Sequence, residues 1–279
     1  ISMIGKDSAS GFWRRVKAGA EQAVTDINEA LGYTGNAKVK LTYDAPSKEN
    51  VSEQIDIIDQ MLDKNPDALI VGYVDVNSGK TQLELAESNG VPVFAVDSSI
   101  DNALIVSETK TDNYKAAAEA AAKLCEAIGD SGEVALLVHS SETETGIERE
   151  KGFREEIEQN HPDVQIIDTT YVNEDERSAE EIVAAVMAEH PDLKAYFGTN
   201  DNVTRVLATV VSKFALEGQT VLAAGFDTSA KLVQAVKDGT LTGVMGQDAF
   251  GMGYACAVSA LRSIASLDNA SVIQMLTYK

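Results

Sequence analysis

Two cysteines, one tryptophan and three histidines are few of the side chains that most often carry metal, nucleophilic or stacking chemistry in a chain of 279 residues. Cys125 and Cys256 fall in Ala-rich helical patterns without metal-ligand spacing. Two small buried side chains are expected there, with a disulfide left open and no metal site. His161 and His190 each stand in a His-Pro-Asp turn after a helical stretch, where a cation suits a helix C-terminus, and His139 ends a strand alone. The chain has no Gly-x-Ser-x-Gly elbow, no Walker loop and no Gly-x-Gly-x-x-Gly after its first strand, so the usual hydrolase, nucleotide and dinucleotide signatures are missing. Glu155-Glu156 and Glu180-Glu181 read as solvated helix faces, not acid/base pairs. Positive charge is also scarce: 23 Lys and Arg against 44 Asp and Glu give a formal net charge of -21, and the pI is near 4.4. Nucleic-acid binding, which needs clustered cations for counterion release, is not expected. No apolar run approaches the roughly 20 residues that span a bilayer, and no basic n-region or h-region opens the chain. Any export signal is therefore expected to have been removed or never to have existed.

What is present is a regular alternation of strand and helix. Ile1 to Gly5 reads as a strand, Lys6 to Trp13 as a loop, and Phe12, Val16, Ala20, Val24, Ile27 and Leu31 as the apolar stripe of a helix. Phe12 lies on that stripe and reads as a core anchor as readily as a ligand contact. Trp13 lies off it and is expected to face a ligand. Further strands are expected over 37–43, 68–72, 91–96 and 104–106, with helices over 51–62 and 77–89 between them. A second series repeats the first, with strands at 134–138, 165–171, 195–199 and 221–226 separated by helical patterns. Repeated β-α units imply parallel sheets with right-handed crossovers, and a chain of this length that is 44% hydrophobic fits two similar α/β lobes joined by short segments.

Polar residues recur where the strands end: Lys6, Asp97, Asn200-Asp201, Asp227 and Gln247. In open α/β sheets such ends form the ligand rim. Taken singly, each Asp or Asn reads first as a helix N-cap. Together with Arg149 and Trp13 they suit a polyol, because a carboxylate accepts two hydroxyl hydrogen bonds, an amide both donates and accepts, and a guanidinium fork donates to vicinal oxygens. An aromatic ring can cover the C–H face of a sugar.

With these residues in hand the chain resembles the periplasmic sugar-binding proteins of the ribose and galactose type over essentially its whole length. The likeness is carried by Gly11-Phe12-Trp13, Pro92 to Asp97, Arg149-Glu150-Lys151-Gly152-Phe153, Phe197 to Asp201, Gly225-Phe226-Asp227 and Gln247. It implies two Rossmann-like lobes with parallel sheets joined by a three-strand hinge. The first lobe would take residues 1–110 and 249–275, and the second 111–248 and 276–279. Carried over residue by residue, it implies ligand contacts at Ser10, Phe12, Trp13, Asp97, Arg149, Asn200, Asp227 and Gln247, with the last at a hinge.

Three departures from the family pattern bear on the ligand. Ser98 stands where ribose binders carry an Arg, which puts ribose itself in doubt. Lys6 places a cation after the first strand, which leaves a furanosyl quorum signal or a sugar acid open unless Lys6 is bound up in a salt bridge to Asp7 or Asp97. Asn173-Glu174 replaces an aromatic that often covers the sugar and leaves Tyr73 as a candidate second stacking face. The resemblance implies a non-enzymatic, extracytoplasmic solute-binding protein. It would enclose a monosaccharide between two lobes by hinge closure and deliver it to the permease of an ABC importer. It would need no cofactor and act as a monomer, periplasmic or extracellular, with a lipid anchor left open. The alternative is a sensory module of the same fold, read by a chemoreceptor or sensor kinase. A lactose-repressor-type effector domain is disfavoured by the acidic balance and the absence of a helix-turn-helix, and an enzyme of similar fold by the missing motifs.

Overall fold

The computed structural model describes residues 1–264, and the chain divides into two compact units. One comprises Ile1–Lys110 with the described residues from Asp248 onward, the other Thr111–Gln247.

In the first unit the order is β1 (Ser2–Ile4), α1 (Gly11–Ala30), β2 (Thr42–Asp44), α2 (Val51–Leu62), β3 (Leu69–Val71), α3 (Lys80–Ser88), β4 (Val93–Val96) and β5 (Ile105–Thr109). The strands form one parallel sheet in the order β2-β1-β3-β4-β5. Strand side chains alternate between its two faces. Met3, Ile70 and Phe94 join one apolar cluster with α1, and Ile4, Leu69 and Val93 join another with α2 and α3. The strand expected over 37–43 is shorter and later than its alternation implies, because residues 35–37 form a 3-10 turn and only Thr42–Asp44 pair with β1. The expected helix over 77–89 begins at Lys80, since the Asp75 carboxylate holds the Asn77 N–H in a turn and Gly79 sits at φ 86°.

The second unit continues with α4 (Asn113–Ala127), β6 (Gly132–Val138), α5 (Glu144–Asn160), β7 (Val164–Tyr171), α6 (Ala179–Glu189), β8 (Leu193–Gly198), α7 (Asp201–Leu216), β9 (Leu222–Phe226), α8 (Ala230–Lys237) and β10 (Gly243–Met245). Its sheet is again parallel, in the order β10-β9-β8-β6-β7. Phe153, Phe197 and Phe226 pack ring against ring on one face. His161 and His190 occupy the C-cap positions of α5 and α6.

The chain then returns to the first unit as α9 (Ala249–Ile264). The changeover falls after Gln247 and not after 248. Asp248 directly precedes α9 and is tied to its first turn, its carboxylate accepting the Gly251 N–H at 2.8 Å and its carbonyl the Met252 N–H at 2.9 Å. The expected third crossover near 275 lies outside the described residues. Helices α1 and α9 meet backbone to backbone through two glycines. A Cβ on Gly19 would collide with the Phe250 carbonyl, and one on Gly253 with the Val16 carbonyl. Gly152 lets α5 approach Tyr114 of α4 in the same way. Both cysteines are free and buried, one in each unit. Burial pushes the Cys125 thiol up to about 11 and the Cys256 thiol up to about 12. Among the described residues no helix is long and apolar enough to cross a membrane.

Candidate functional site

Each unit gathers polar side chains at the carboxyl ends of its own strands. In the first, β1 runs into Lys6 and β4 into Asp97, and the two side chains form an ion pair at 3.0 Å with only 4% and 5% of their surface exposed. Water is too scarce there to solvate either charge, so each needs the other. The Lys6 ammonium also lies 5.9 Å from the centre of the Trp13 ring, within cation–π range. Asp97 has φ 67°, in the left-handed region that Asp enters more readily than most residues, and its N–H bonds the Thr109 carbonyl of β5 at 2.9 Å. Behind this edge the buried amide of Gln54 donates to the carbonyls of Gly5 and Gly72 and accepts from Val74 N–H, clamping the ends of β1 and β3 together. Ser98 is buried, and its Oγ has no hydrogen-bond partner among the described residues.

The second unit repeats the backbone device with different groups. Asp227, after β9, has φ 78°, and its N–H bonds the Met245 carbonyl of β10 at 2.8 Å. One carboxylate oxygen accepts the Asp201 N–H at 2.9 Å, and the other accepts the Gln247 amide at 2.7 Å. The Gln247 amide oxygen in turn accepts from Arg149 at 2.9 Å and from the Thr111 hydroxyl at 3.0 Å. Arg149, 2% exposed, donates further to Asn113 at 2.9 Å and to the Thr199 carbonyl at 2.7 Å, with its guanidinium carbon 4.0 Å from the centre of the Phe226 ring. Cation and carboxylate are thus joined through a neutral amide.

The structure brings together Lys6, Trp13 and Asp97 in one unit, and Arg149, Asp227 and Gln247 in the other. It places other candidates differently. Trp13, expected to stand off the helix stripe toward a ligand, is 3% exposed and lies in the core, its ring over Gly5 and Gly72. The buried face of α1 is Trp13, Val16, Gly19, Ala20, Ala23, Val24 and Ile27, which keeps Val16, Ala20, Val24 and Ile27 of the expected stripe, while Phe12 is only half-buried and meets Trp13 edge to face at 5.7 Å. A shift of one residue turns a helix face by about 100°, which the pattern reading missed because Phe12 and Trp13 are both large and apolar. Tyr73, expected as a second stacking face, is buried among Ile4, Leu83 and Ile100 with its ring against Gly79, and burial pushes its phenol up. Ser10 and Asn200 are the N-caps of α1 and α7, accepting the N–H of Phe12 and Val203. Gln54, Asn113 and Thr199 were not anticipated. Of the three only Gln54 carried a signal, a polar residue on the same face of α2 as Ile58, Met61 and Leu62.

A family model described as a periplasmic binding protein domain matches residues 1–266. The chain belongs to that family. It is a family of binding proteins, and membership implies an extracytoplasmic place of work. Curated relatives of this periplasmic binding protein include the ribose import binding protein of Bacillus subtilis, 24% identical over 201 residues, which are 72% of this chain and 64% of that protein. A D-apiose import binding protein of Actinobacillus succinogenes is 26% identical over 245 residues, 87% of this chain and 73% of the relative. Among solved structures, a carbohydrate transporter solute binding protein from Agrobacterium radiobacter, in complex with D-arabinose, superposes with a TM-score of 0.85 at 24% identity. The match covers 95% of this chain and 88% of that one. A solute binding protein from Agrobacterium vitis bound to alpha-D-tagatopyranose gives a TM-score of 0.84 at 25% identity, over 95% and 88% of the two chains. These structural likenesses establish the two-lobed α/β fold.

Proposed function

We propose that this periplasmic binding protein captures a neutral monosaccharide and delivers it, chemically unchanged, to the permease of an ABC importer. It works as a monomer outside the cytoplasm, free or lipid-anchored. The names of its relatives, a ribose import binding protein and a D-apiose import binding protein, support a sugar ligand, and so does the chemistry of the two strand edges. The observation that carries the neutral class is the Lys6–Asp97 ion pair. A sugar acid or an anionic signal would need an uncommitted cation, whereas the one cation of this edge is already balanced by Asp97 and Arg149 is held by three acceptors. Neutral hydroxyls suit carboxylates that can still accept hydrogen bonds, a buried serine hydroxyl and an amide. Asp97, Ser98, Arg149, Asp227 and Gln247 are the sugar contacts we assign on the strand edges of the two units, with Phe12 as the aromatic cover. Trp13 and Lys6 stand behind them as support.

The test is a thermal-shift panel on protein unfolded and refolded to strip bound ligand, covering aldopentoses, apiose, aldohexoses and sugar acids. A ligand at a hundredfold over its Kd adds about 2.7 kcal/mol, and a shift of several degrees follows at roughly 2–4 °C per kcal/mol. The expected result is a shift with one or two neutral sugars, abolished in Asp227→Ala and in Asp97→Ala. A shift confined to the acids, or no shift with any sugar, overturns the assignment.

A further inference from the structure

His139 follows β6 at the same edge of the second sheet, and neither the resemblance nor the proposed contacts use it. It is buried, and protein groups meet both of its ring nitrogens. Nδ1 lies 2.7 Å from the Thr199 hydroxyl, while Nε2 lies 3.1 Å from the Thr143 hydroxyl and 3.3 Å from that of Thr145. The backbone N–H of His139 also donates to the Thr199 hydroxyl, at 2.9 Å. Thr143 is the N-cap of α5, where its hydroxyl accepts the Gly146 N–H at 3.0 Å. One imidazole therefore spans from the first turn of α5 to the end of β8. Hydroxyls both donate and accept, so they complement a neutral ring with one N–H and one lone pair.

Both ends bear on Arg149, which Asn113 and Gln247 hold as well. Helix α5 carries the Arg149 side chain, and the Thr199 carbonyl receives its guanidinium at 2.7 Å. We propose that His139 is a positioning residue for Arg149: by fixing the start of α5 to Thr199 it sets where the guanidinium lies in the binding edge. The chain of contacts runs Thr143 and Thr145, His139, Thr199, Arg149, Gln247, Asp227, without a gap longer than 3.3 Å. Its consequence for affinity rests on the sugar-binding reading, but its consequence for Arg149 does not.

The experiment reads the two apart. Arginine Nε–Hε signals are recorded by ¹⁵N NMR on the ligand-free full chain, with Arg149→Lys assigning the Arg149 signal. The variants are His139→Leu, which keeps bulk but no polar atom, and His139→Asn, which restores one donor and one acceptor. Thr145→Val is a milder lesion should His139→Leu fail to fold. The proposal expects hydrogen exchange at the Arg149 Nε–H to speed up at least tenfold in His139→Leu, to rise less in Thr145→Val, and to recover substantially in His139→Asn, with the remaining arginine signals unchanged. For whichever sugar the wild type binds in the panel, affinity falls at least tenfold in His139→Leu and is partly restored in His139→Asn. A lowered Tm with the Arg149 signal unaltered in every variant would make His139 a packing residue only and overturn the proposal. A wild type that binds no sugar overturns the ligand assignment and leaves the NMR result to decide the role of His139.

Discussion

The two units use one backbone device but balance its charge in different ways. Asp97 and Asp227 both leave a parallel strand in the left-handed conformation, and both hand their N–H to the neighbouring edge strand. Beyond that the solutions diverge. In the first unit a lysine touches the carboxylate directly and both charges are buried. In the second a glutamine stands between arginine and aspartate, its amide oxygen accepting from Thr111 and Arg149 and its amide nitrogen donating to Asp227. Strand-end geometry therefore fixes where an aspartate must be but not how its charge is balanced. The first solution is brittle, since removing either partner strands a charge. The second is distributed, since each bond of the network can be lost singly.

The largest expected difference comes from removing the balancing group. Lys6→Met leaves the buried Asp97 carboxylate without its partner, which costs about 3–5 kcal/mol, while Lys6→Met with Asp97→Asn regains most of it. Gln247→Met leaves neutral or hydrogen-bonded groups behind and costs about 1–3 kcal/mol. Urea midpoints of the four proteins decide it, and equal losses for the two single variants would erase the contrast. Next come the helix contacts. Gly253→Ala in the first unit and Gly152→Ala in the second each force a Cβ into a facing carbonyl, at about 1–3 kcal/mol. Similar midpoint losses would show that the units share their packing although not their electrostatics.

A smaller effect appears in alkali. Tyr254 bonds Asp26 in the first unit and Tyr171 bonds Glu150 in the second, and burial together with these carboxylates pushes both phenols up to about 12. A phenol raised in this way keeps its proton in the folded state after the unfolded chain has lost it. The stabilisation is therefore full below about pH 10 and is lost as the pH rises toward 12. Thermal unfolding from pH 9 to 12 should fall steadily, and Tyr171→Phe and Tyr254→Phe should each flatten part of the slope. The smallest effect is chemical. Thiols raised to about 11 and 12 are almost wholly protonated at pH 8. Neither cysteine should react with a thiol reagent in the folded protein, and whichever is labelled first in rising urea reports which unit opens first.

Much of this was legible in the chain itself. Helix α2 starts and stops where its apolar spacing says, and the strands of both sheets fall within a few residues of their apolar runs. Repeat order conveyed parallel sheets, because β-α alternation leaves little other choice. Of the site, Asp97, Asp227 and Gln247 could be picked out from their places at strand ends, and Arg149 from the family resemblance, since it sits on α5. What pattern left open was the facing of Trp13 against Phe12, which one helical step decides, and whether Lys6 pairs with Asp7 or Asp97, which is decided by β1 and β4 flanking β3. Thr199 and Asn113 were invisible because a threonine or asparagine beside a helix start looks the same whether it caps or holds a guanidinium.

The glycine contact between α1 and α9 also bears on how the protein is made. Helix α1 leaves the ribosome early, yet the helix it is shaped to meet begins at Ala249, after the whole of Thr111–Gln247 has been translated. The second unit is one unbroken run of chain and can close on itself as soon as it emerges. The first must hold Trp13, Val16 and Ala20 without their lasting neighbours until then, exposed to aggregation or to a chaperone. Of the two units, the one whose first strand comes earlier in the chain is the one completed last.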